Sequence, residues 1–350
     1  MNIPNIRLLN QQLLNPLFRE PKELVSWMGA MQAQNYSMVK WAVGMRLKSA
    51  TIQTVEKALR EGEILRTHVM RPTWHLVAAE DIRWMLQLSG DRIRTAFDSY
   101  AKSRKMEITG SFYAKGCSLL ERLLGGNKSL TKQELADEFG RAGIEADNHL
   151  IHYFLVRAET DGLVCSGVDK NKKPTYALLD ERVPPVKELN REEALARLAT
   201  LYFQSHSPAT LPDFVWWSGL TATEARHAVA LIEGDLLAEK FDSETFYLHA
   251  TCDLRARCRK VLHLLPSYDE YLISYKDRTT VMLREHHPKA FNTFGIFYPV
   301  ILYNGRIVGN WKKDSKKKAL AVETSLFDES FDLPEDLLKK AVDYYCSFHT

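Results

Sequence analysis

Residues 51–77 read TIQTVEKALREGEILRTHVMRPTWHLV, and this stretch decides the fold. Its first part predicts a helix over Thr51–Glu61, because the apolar residues recur at helical spacing. Two β-rich runs follow, Ile64–Met70 and Thr73–Val77, and the residues between them indicate the turn of a hairpin. Residues 5–45 are predicted to form two short helices. Three helices followed by a hairpin is the order of a winged helix.

The same order of predicted elements recurs twice further along the chain, and a repeat is stronger evidence than any single motif. In the second copy, Thr131 and Glu134 have capping-box spacing, and the predicted strands enclose a tip at residues 169–174. The third copy follows Pro184-Pro185. The predicted helices of the two copies are Ser111–Leu124, Ser129–Ala136, Asp147–Thr160, Arg191–Ser205, Ala209–Leu220 and Thr221–Glu233, and the strands are Gly162–Cys165, Thr175–Leu179, Leu236–Lys240 and Phe246–Ala250.

From Cys258 onward the pattern changes to strands. Val261–Pro266 is strand-like, and Phe297–Gly309 predicts a hairpin that turns at Asn304-Gly305, a dipeptide typical of tight hairpin turns. A helix over Pro334–Ser347 follows. The predicted fold is α+β and mainly α, with three tandem winged-helix units followed by a small β-rich C-terminal domain. The predicted domains are 1–110, 111–185, 186–256 and 257–350.

Composition places the chain among ordinary globular proteins. Of its 350 residues, 45% are hydrophobic and 26% charged, which excludes a disordered chain. The net charge of +3 permits nucleic acid as a partner without requiring it. No apolar run is long enough for a membrane span, and the polar N-terminus lacks the apolar core of a signal peptide. The five cysteines are scattered without a C-x-x-C motif, which favours a reducing compartment, the cytoplasm. Cys252 and Cys258 are expected in the core.

The segment 20–46, EPKELVSWMGAMQAQNYSMVKWAVGMR, holds two glutamines in an unusual place. Pro21 begins a predicted helix whose apolar row Leu24–Met28 leads to Gln32, so that Gln32 is expected to turn inward. Gln34 follows two residues later, and such residues share a face only in extended backbone. The two amides can therefore converge only if the helix ends near Met31. The alternative is that both side chains merely cap local backbone.

Two basic clusters are placed to contact phosphates. Lys170, Lys172 and Lys173 lie at the predicted tip of a wing, where winged helices contact the nucleic-acid backbone. Lys312 and Lys313 begin a second cluster that continues at residues 316–318. Each cluster alone could be a solvated loop. Together with the repeated fold, they predict binding to DNA or RNA.

Few motifs suggest catalytic chemistry. Residues 125–129 lack the Gly-Lys order of a P-loop, and His286-His287 is not part of an H-E-x-x-H motif. Asp269-Glu270 could bind a metal or act as a base, although an isolated acidic pair is more often structural. No nucleophile triad has recognisable spacing. Neither a metal nor a cofactor is therefore predicted.

Four stretches resemble the AlkZ/YcaQ-type winged-helix DNA glycosylases. They are Met31–Gln34 (the family's Gln–aliphatic–Gln motif), Arg66–Val77 (R-T-x-x-M-R-G-T-x-H-x-V), Leu264–Leu272 (L-L-P-x-[FY]-D-E-Y-L) and Asn304–Trp311 (a late hairpin). These stretches run from residue 31 to residue 311, so the resemblance covers nearly the whole chain. Pro72 replaces the usual glycine of the family, which stiffens the turn. The second glutamine places the chain nearer the AlkZ-like branch than the YcaQ-like branch, which has aspartate there.

The resemblance implies three tandem winged helices, a β-barrel-like C-terminal domain and a concave DNA-binding face. It also implies a monofunctional glycosylase, a monomer without cofactor, that removes alkylated purines from double-stranded DNA, including the guanines of interstrand crosslinks. Such an enzyme works in the cytoplasm and is associated with the nucleoid when it is bound to DNA. Whether the damaged base is flipped stays open at this point.

The resemblance further implies roles for individual residues. Gln32 and Gln34 are expected to position the water and the sugar, and Arg46, Arg71 and His75 to contact the lesion. His75 has the alternative of an ordinary core histidine. Two other functions stay open: a non-catalytic DNA-binding regulator, in which the glutamines only support a helix end, and a hydrolase that uses Asp269. Sequence preference without turnover would indicate the regulator, and metal dependence would indicate the hydrolase.

Overall fold

The computed structural model describes residues 2–106, 108–144, 147–241, 243–252, 260–314 and 321–350. The chain forms two compact units: the first unit comprises residues 1–56 and 195–350, and the second unit comprises residues 57–194. The fold is mixed α/β and about half helical.

The helices are α1 (Ile3–Asn10), α2 (Pro21–Met28), α3 (Tyr36–Gly44), α4 (Ile52–Glu61), α5 (Ile82–Ser103), α6 (Gly110–Leu124), α7 (Lys132–Arg141), α8 (Asn148–Thr160), α9 (Leu179–Arg182), α10 (Arg191–His206), α11 (Leu211–Ser218), α12 (Ala222–Leu231), α13 (Glu270–Ile273), α14 (His287–Ala290) and α15 (Glu335–His349). The strands are β1 (Met31–Gln32), β2 (Ile64–His68), β3 (Trp74–Ala78), β4 (Leu130–Thr131), β5 (Val164–Ser166), β6 (Thr175–Leu178), β7 (Ala209–Thr210), β8 (Leu236–Phe241), β9 (Glu244–His249), β10 (Leu262–Leu265), β11 (Val300–Tyr303), β12 (Arg306–Lys313) and β13 (Val322–Leu326).

One order of elements occurs three times along the chain: a helix, a short strand, two helices and a hairpin. The three occurrences are α2 to β3, α6 to β6 and α10 to β9. This order agrees with the predicted one except that a short strand is added to each copy and that the region of residues 5–45 contains three helices, α1, α2 and α3, where two were predicted. Helices α7 and α11 begin two or three residues later than predicted, because the residues before them form the short strands β4 and β7. The domain boundaries at residues 110, 185 and 256 stay a prediction.

The second unit contains three antiparallel strand pairings, β2 with β3, β4 with β6 and β5 with β6. Strands β2 and β3 form the predicted hairpin, with His68 opposite Trp74. Further along, β4, β6 and β5 form a sheet in that order, and Phe154 of α8 lies in the centre of its apolar core. The predicted capping box of Thr131 and Glu134 is present and begins α7. Local capping therefore starts α7 directly after the predicted cap residue Thr131.

In the first unit, β7, β9 and β8 repeat that sheet order, and capping boxes begin α11 and α12. Its core also joins α3 to the C-terminal helix. The ring centroid of Trp41 lies 5.2 Å from those of Tyr344, Tyr345 and Phe348. The indole N–H of Trp41 donates to the Leu264 carbonyl at 2.7 Å. Aromatic packing thus fixes the helix that follows the glutamine segment.

The C-terminal strands form an antiparallel sheet in the order β10-β11-β12-β13. The predicted turn at Asn304-Gly305 joins β11 to β12, and both residues have positive φ, as a tight hairpin turn requires. Among residues 260–314 and 321–350, β10 and β13 each pair with one neighbour only, so the sheet is open. The expectation of a barrel-like domain is therefore wrong, because a barrel needs its edge strands to pair.

Candidate active site

The two glutamines lie on a segment of extended backbone between α2 and α3. Helix α2 ends at Met28, before Gly29 at φ +73°, and β1 begins at Met31. The condition for the amides to converge, an early end of the helix, is therefore met. Gln32 is only 5% exposed, as predicted, whereas Gln34 is exposed. The segment thus presents one amide from the interior and one at the surface.

The carboxylate of Glu270 holds the backbone of Gln32. Glu270 is the first residue of α13, is buried, and accepts a hydrogen bond from the Gln32 backbone N–H. The Ser274 hydroxyl donates to the other carboxylate oxygen. Burial opposes ionisation of Glu270, whereas the hydrogen bonds that it accepts from the Ser274 hydroxyl and the Gln32 N–H lower the pKa of the carboxyl. The glutamine segment is therefore anchored to a buried negative charge.

His206 completes this group. Its Nε2 lies 3.7 Å from Glu270 Oε2, beyond hydrogen-bond distance. The Ser205 hydroxyl donates to the Leu201 carbonyl at 2.6 Å, so it accepts from His206 Nδ1 at 2.7 Å. This places the ring hydrogen on Nδ1. Burial lowers the pKa of His206, and the ring is accordingly neutral near pH 7.

The preceding residue, Asp269, forms a bidentate ion pair with Arg46. The two Nη–Oδ distances are 2.7 and 2.9 Å, and Arg46 is 0% exposed. Arg46 also donates to the carbonyls of Gln11 and Ala42 at 3.0 Å each. Asp269 in turn accepts the Tyr271 N–H at 2.9 Å and begins α13. The pair thus joins three segments of the first unit.

This geometry bears on the predicted lesion contact of Arg46 and on the alternative of a hydrolase that uses Asp269. Arg46 has no exposed surface with which to contact a lesion, because its guanidinium is satisfied inside the protein. Asp269 is equally buried and paired, so the hydrolase that would use it as a base or metal ligand has no support. Among the described residues, no three His, Cys, Asp or Glu side chains are grouped so that they could hold a metal ion.

Arg71 and His75 belong to the β2–β3 hairpin of the second unit. Arg71 is half-buried and follows Met70, which has φ +61°. His75 is 1% exposed, and its Nδ1 donates to the Thr73 carbonyl at 3.0 Å. That bond closes the hairpin turn locally. The placement of His75 suits the alternative of a core histidine, and its contact with the lesion stays a prediction.

The wing-tip lysines lie on a tight turn at the end of β5. Lys170 and Lys173 exchange two backbone hydrogen bonds of 2.9 Å, and Asn171 and Lys172 between them have φ of +52° and +62°. All three lysines are exposed, although the Lys170 ammonium contacts the Glu134 carboxylate. That contact and the capping bonds of Thr131 lower the pKa of Glu134 to about 2. Lys172 and Lys173 therefore point the cluster's charge toward solvent.

The second lysine cluster is only partly described. Lys312 and Lys313 are exposed at the end of β12, and Lys312 Nζ lies 2.8 Å from Glu323 Oε2. The predicted continuation, Lys316, Lys317 and Lys318, lies outside the described residues.

Sequence reasoning missed Glu270, which it treated as half of an isolated acidic pair. It also missed His68 and Glu159 in the second unit, whose Nδ1 and Oε2 are 2.6 Å apart in full burial. Burial and the charge of Arg66 lower the pKa of His68 to about 3, and burial raises the pKa of Glu159. Both shifts favour a neutral hydrogen-bonded pair. A local motif reveals neither group, since the partners are far apart in sequence.

The chain is similar to known proteins in both sequence and fold. The family model described as "DNA glycosylase AlkZ-like" matches residues 25–348. An "Interstrand DNA cross-link repair glycosylase" from Streptomyces sahachiroi is 22% identical over 328 residues, covering 87% of this chain and 85% of the relative. The solved structure of Streptomyces sahachiroi DNA glycosylase AlkZ superposes with a TM-score of 0.80 at 18% identity and covers 99% of this chain and 96% of that one. The described residues contain no helix that is long and apolar enough to cross a membrane.

Proposed function

Because the chain belongs to the AlkZ-like DNA glycosylase family, we propose that it hydrolyses the N-glycosidic bond of N7-alkylated purines in duplex DNA, including crosslinked guanines. The chain is a DNA glycosylase. Its relative from Streptomyces sahachiroi is named for the repair of interstrand crosslinks, which supports bulky purine adducts as substrates. We further propose that it works as a monomer on the DNA of the nucleoid in the cytoplasm.

The chemistry of such a lesion explains a site that is built from amides. An N7-alkylated guanine is already cationic, so it leaves without protonation by a general acid. The sugar then acquires positive charge in an oxocarbenium-like transition state, and a water molecule must be held beside it. The carbonyl oxygens of Gln32 and Gln34 can hold the water and favour positive charge through fixed dipoles. The two nearby carboxylates, Asp269 and Glu270, are engaged within the protein.

The observation that carries this assignment is the anchoring of Gln32. A buried carboxylate holds its backbone N–H, and its side chain is almost wholly enclosed. A glutamine that served only to cap a helix end would need no such support, because Asn35 already caps α3 through the Met38 N–H at 3.2 Å. The alternative that the glutamines only support a helix end in a non-catalytic DNA-binding protein is therefore the weaker one.

The first test is base release from duplex DNA that carries a single N7-methylguanine, under single-turnover conditions with chelator present. We expect free N7-methylguanine and an abasic site, and no release from the undamaged duplex. If neither this DNA nor a guanine-crosslinked duplex is processed, while both are tightly bound, the protein is a binding protein and not a glycosylase of this class. Loss of activity on chelation would instead contradict the metal-free mechanism.

We also propose that the three repeats act as winged helices that hold duplex DNA. The wing tip of β5 and β6 presents Lys172 and Lys173 to solvent, in the way that suits phosphate contact. The lysines of β12 would contribute further backbone contacts. Affinity from such contacts depends on salt and is independent of base sequence.

Replacing Lys172 and Lys173 with alanine is therefore expected to weaken binding to all duplexes equally. The plot of log K against log salt concentration has a negative slope, and its magnitude should decrease by about 1–2, since each lost phosphate contact contributes roughly 0.9. Fluorescence anisotropy at several salt concentrations measures this slope. Lys340→Ala on α15 serves as the control, because Lys340 is exposed but belongs to neither cluster. An unchanged slope would show that this wing does not touch DNA.

A further inference from the structure

Glu270 is a buried carboxylate that the proposed mechanism does not use. It is 2% exposed, it accepts the Gln32 N–H, and it accepts the Ser274 hydroxyl. Burying a charge is costly unless the site has a use for it or a partner neutralises it. The groups that surround Glu270 decide between these two possibilities.

The neighbouring cations are paired with other carboxylates. Arg46 is bidentate to Asp269, and Arg7 lies 3.9 Å from Asp213. His206 is fully buried, which lowers its pKa and favours the neutral ring, and its Nε2 lies 3.7 Å from Glu270 Oε2, beyond hydrogen-bond distance. The partners of Glu270 are thus two dipoles, an amide and a hydroxyl, and the group retains a net negative charge. That charge lies one hydrogen bond behind the backbone of Gln32.

We propose that Glu270 is a positioning residue for base release, which holds Gln32 and supplies the fixed negative charge that favours the cationic sugar. This inference rests on the proposed glycosylase function. Glu270 does not touch the substrate, because its side chain is enclosed within the first unit. It acts through the segment it anchors and through its electric field.

The direction of charge movement explains why such a carboxylate accelerates the reaction. In the substrate the positive charge is on the alkylated base. When the C1′–N9 bond breaks, its electron pair neutralises the base, and the charge moves to the sugar. The water oxygen then bonds to C1′ and loses a proton to solvent. A negative charge on the sugar side therefore stabilises the transition state more than the ground state.

The test compares Glu270→Gln with wild type on two uncleavable duplexes. One carries a pyrrolidine abasic analogue, which is cationic, and the other carries neutral tetrahydrofuran. Wild type should bind the pyrrolidine duplex more tightly than the tetrahydrofuran duplex. In Glu270→Gln this ratio of affinities should decrease by about tenfold, while the affinity for the tetrahydrofuran duplex stays at the wild-type value. Its single-turnover release of N7-methylguanine should fall by about 10–100-fold, less than the 10²–10³-fold lost with a group at the reacting centre, because Glu270 does not touch the substrate. Glu23→Gln, an exposed carboxylate on α2, is the matched control and should leave both readouts unchanged.

Glu270→Asp keeps the charge but shortens the side chain. It should retain the pyrrolidine preference while release slows, and this variant keeps the proposal testable if Glu270→Gln does not fold. The electrostatic role would be overturned if Glu270→Gln kept the wild-type preference for the pyrrolidine duplex. It would also be overturned if a folded Glu270→Asp lost that preference. Equal weakening on both duplexes would mean a purely structural residue. If wild type itself releases no alkylated base, the proposed function fails and not this inference alone.

Discussion

Replacing Gln32 or Gln34 with alanine is expected to lower the single-turnover rate of N7-methylguanine release by about 10²–10³-fold, the usual cost of one preorganised polar group at a reacting centre. In the proposed mechanism, each variant removes a carbonyl oxygen that holds the water or faces the sugar. The double variant should be little slower than the worse single variant, because groups that act as a unit are not additive. Quench-flow or manual sampling of released base measures all three rates.

The location of the two residues predicts a difference between their side effects. Gln34 is exposed, so Gln34→Ala should unfold at the wild-type temperature. Gln32 is buried, and Gln32→Ala should lower stability by about 1–3 kcal/mol. Gln133→Ala, which removes a surface glutamine bonded to Asp137 at 2.9 Å, controls for the substitution itself. Unchanged release by both site variants would reduce the glutamines to supports of the helix end.

Removing Arg46 is expected to have the largest effect on stability. Arg46→Met leaves the buried Asp269 carboxylate without its cation and the Gln11 and Ala42 carbonyls without their donors. Breaking one partner of a buried pair typically costs about 3–5 kcal/mol in the free energy of unfolding. Urea denaturation should show a lower midpoint, and activity should fall in step with the folded fraction.

Two further variants separate burial from charge. Arg46→Met combined with Asp269→Asn should recover part of the loss, because asparagine still caps α13 but carries no charge. Lys312→Ala removes an ion pair with Glu323 whose side chains are 73% and 47% exposed, and it should leave the urea midpoint unchanged because solvent screens such a pair. A single Arg46→Met that is as stable as wild type would contradict a structural role. Normal stability with lost DNA binding would restore Arg46 as a DNA contact.

The local elements of this protein follow from short-range sequence patterns. The β2–β3 hairpin, the capping box of Thr131 and Glu134, and the turn at Asn304-Gly305 are where the sequence predicts them. Each depends on residues within a few positions of one another: alternating apolar side chains, a side chain that caps its own helix, or backbone that tolerates positive φ. The end of α2 before Gln32 is predictable for the same reason.

The surroundings of the site depend on contacts between residues that are far apart in the chain. Arg46 reaches Asp269 across 223 positions, and Gln32 reaches Glu270 across 238. No spacing rule links residues so far apart in sequence. Arg46, which was expected to contact DNA, therefore lies in the core, and Glu270, which was treated as half of an isolated acidic pair, accepts a hydrogen bond from the Gln32 backbone. The open C-terminal sheet has the same explanation, because whether edge strands pair depends on contacts far apart in the chain. Local sequence preferences thus place the helices and turns, whereas contacts between buried residues far apart in the chain set the surroundings of Arg46 and Glu270.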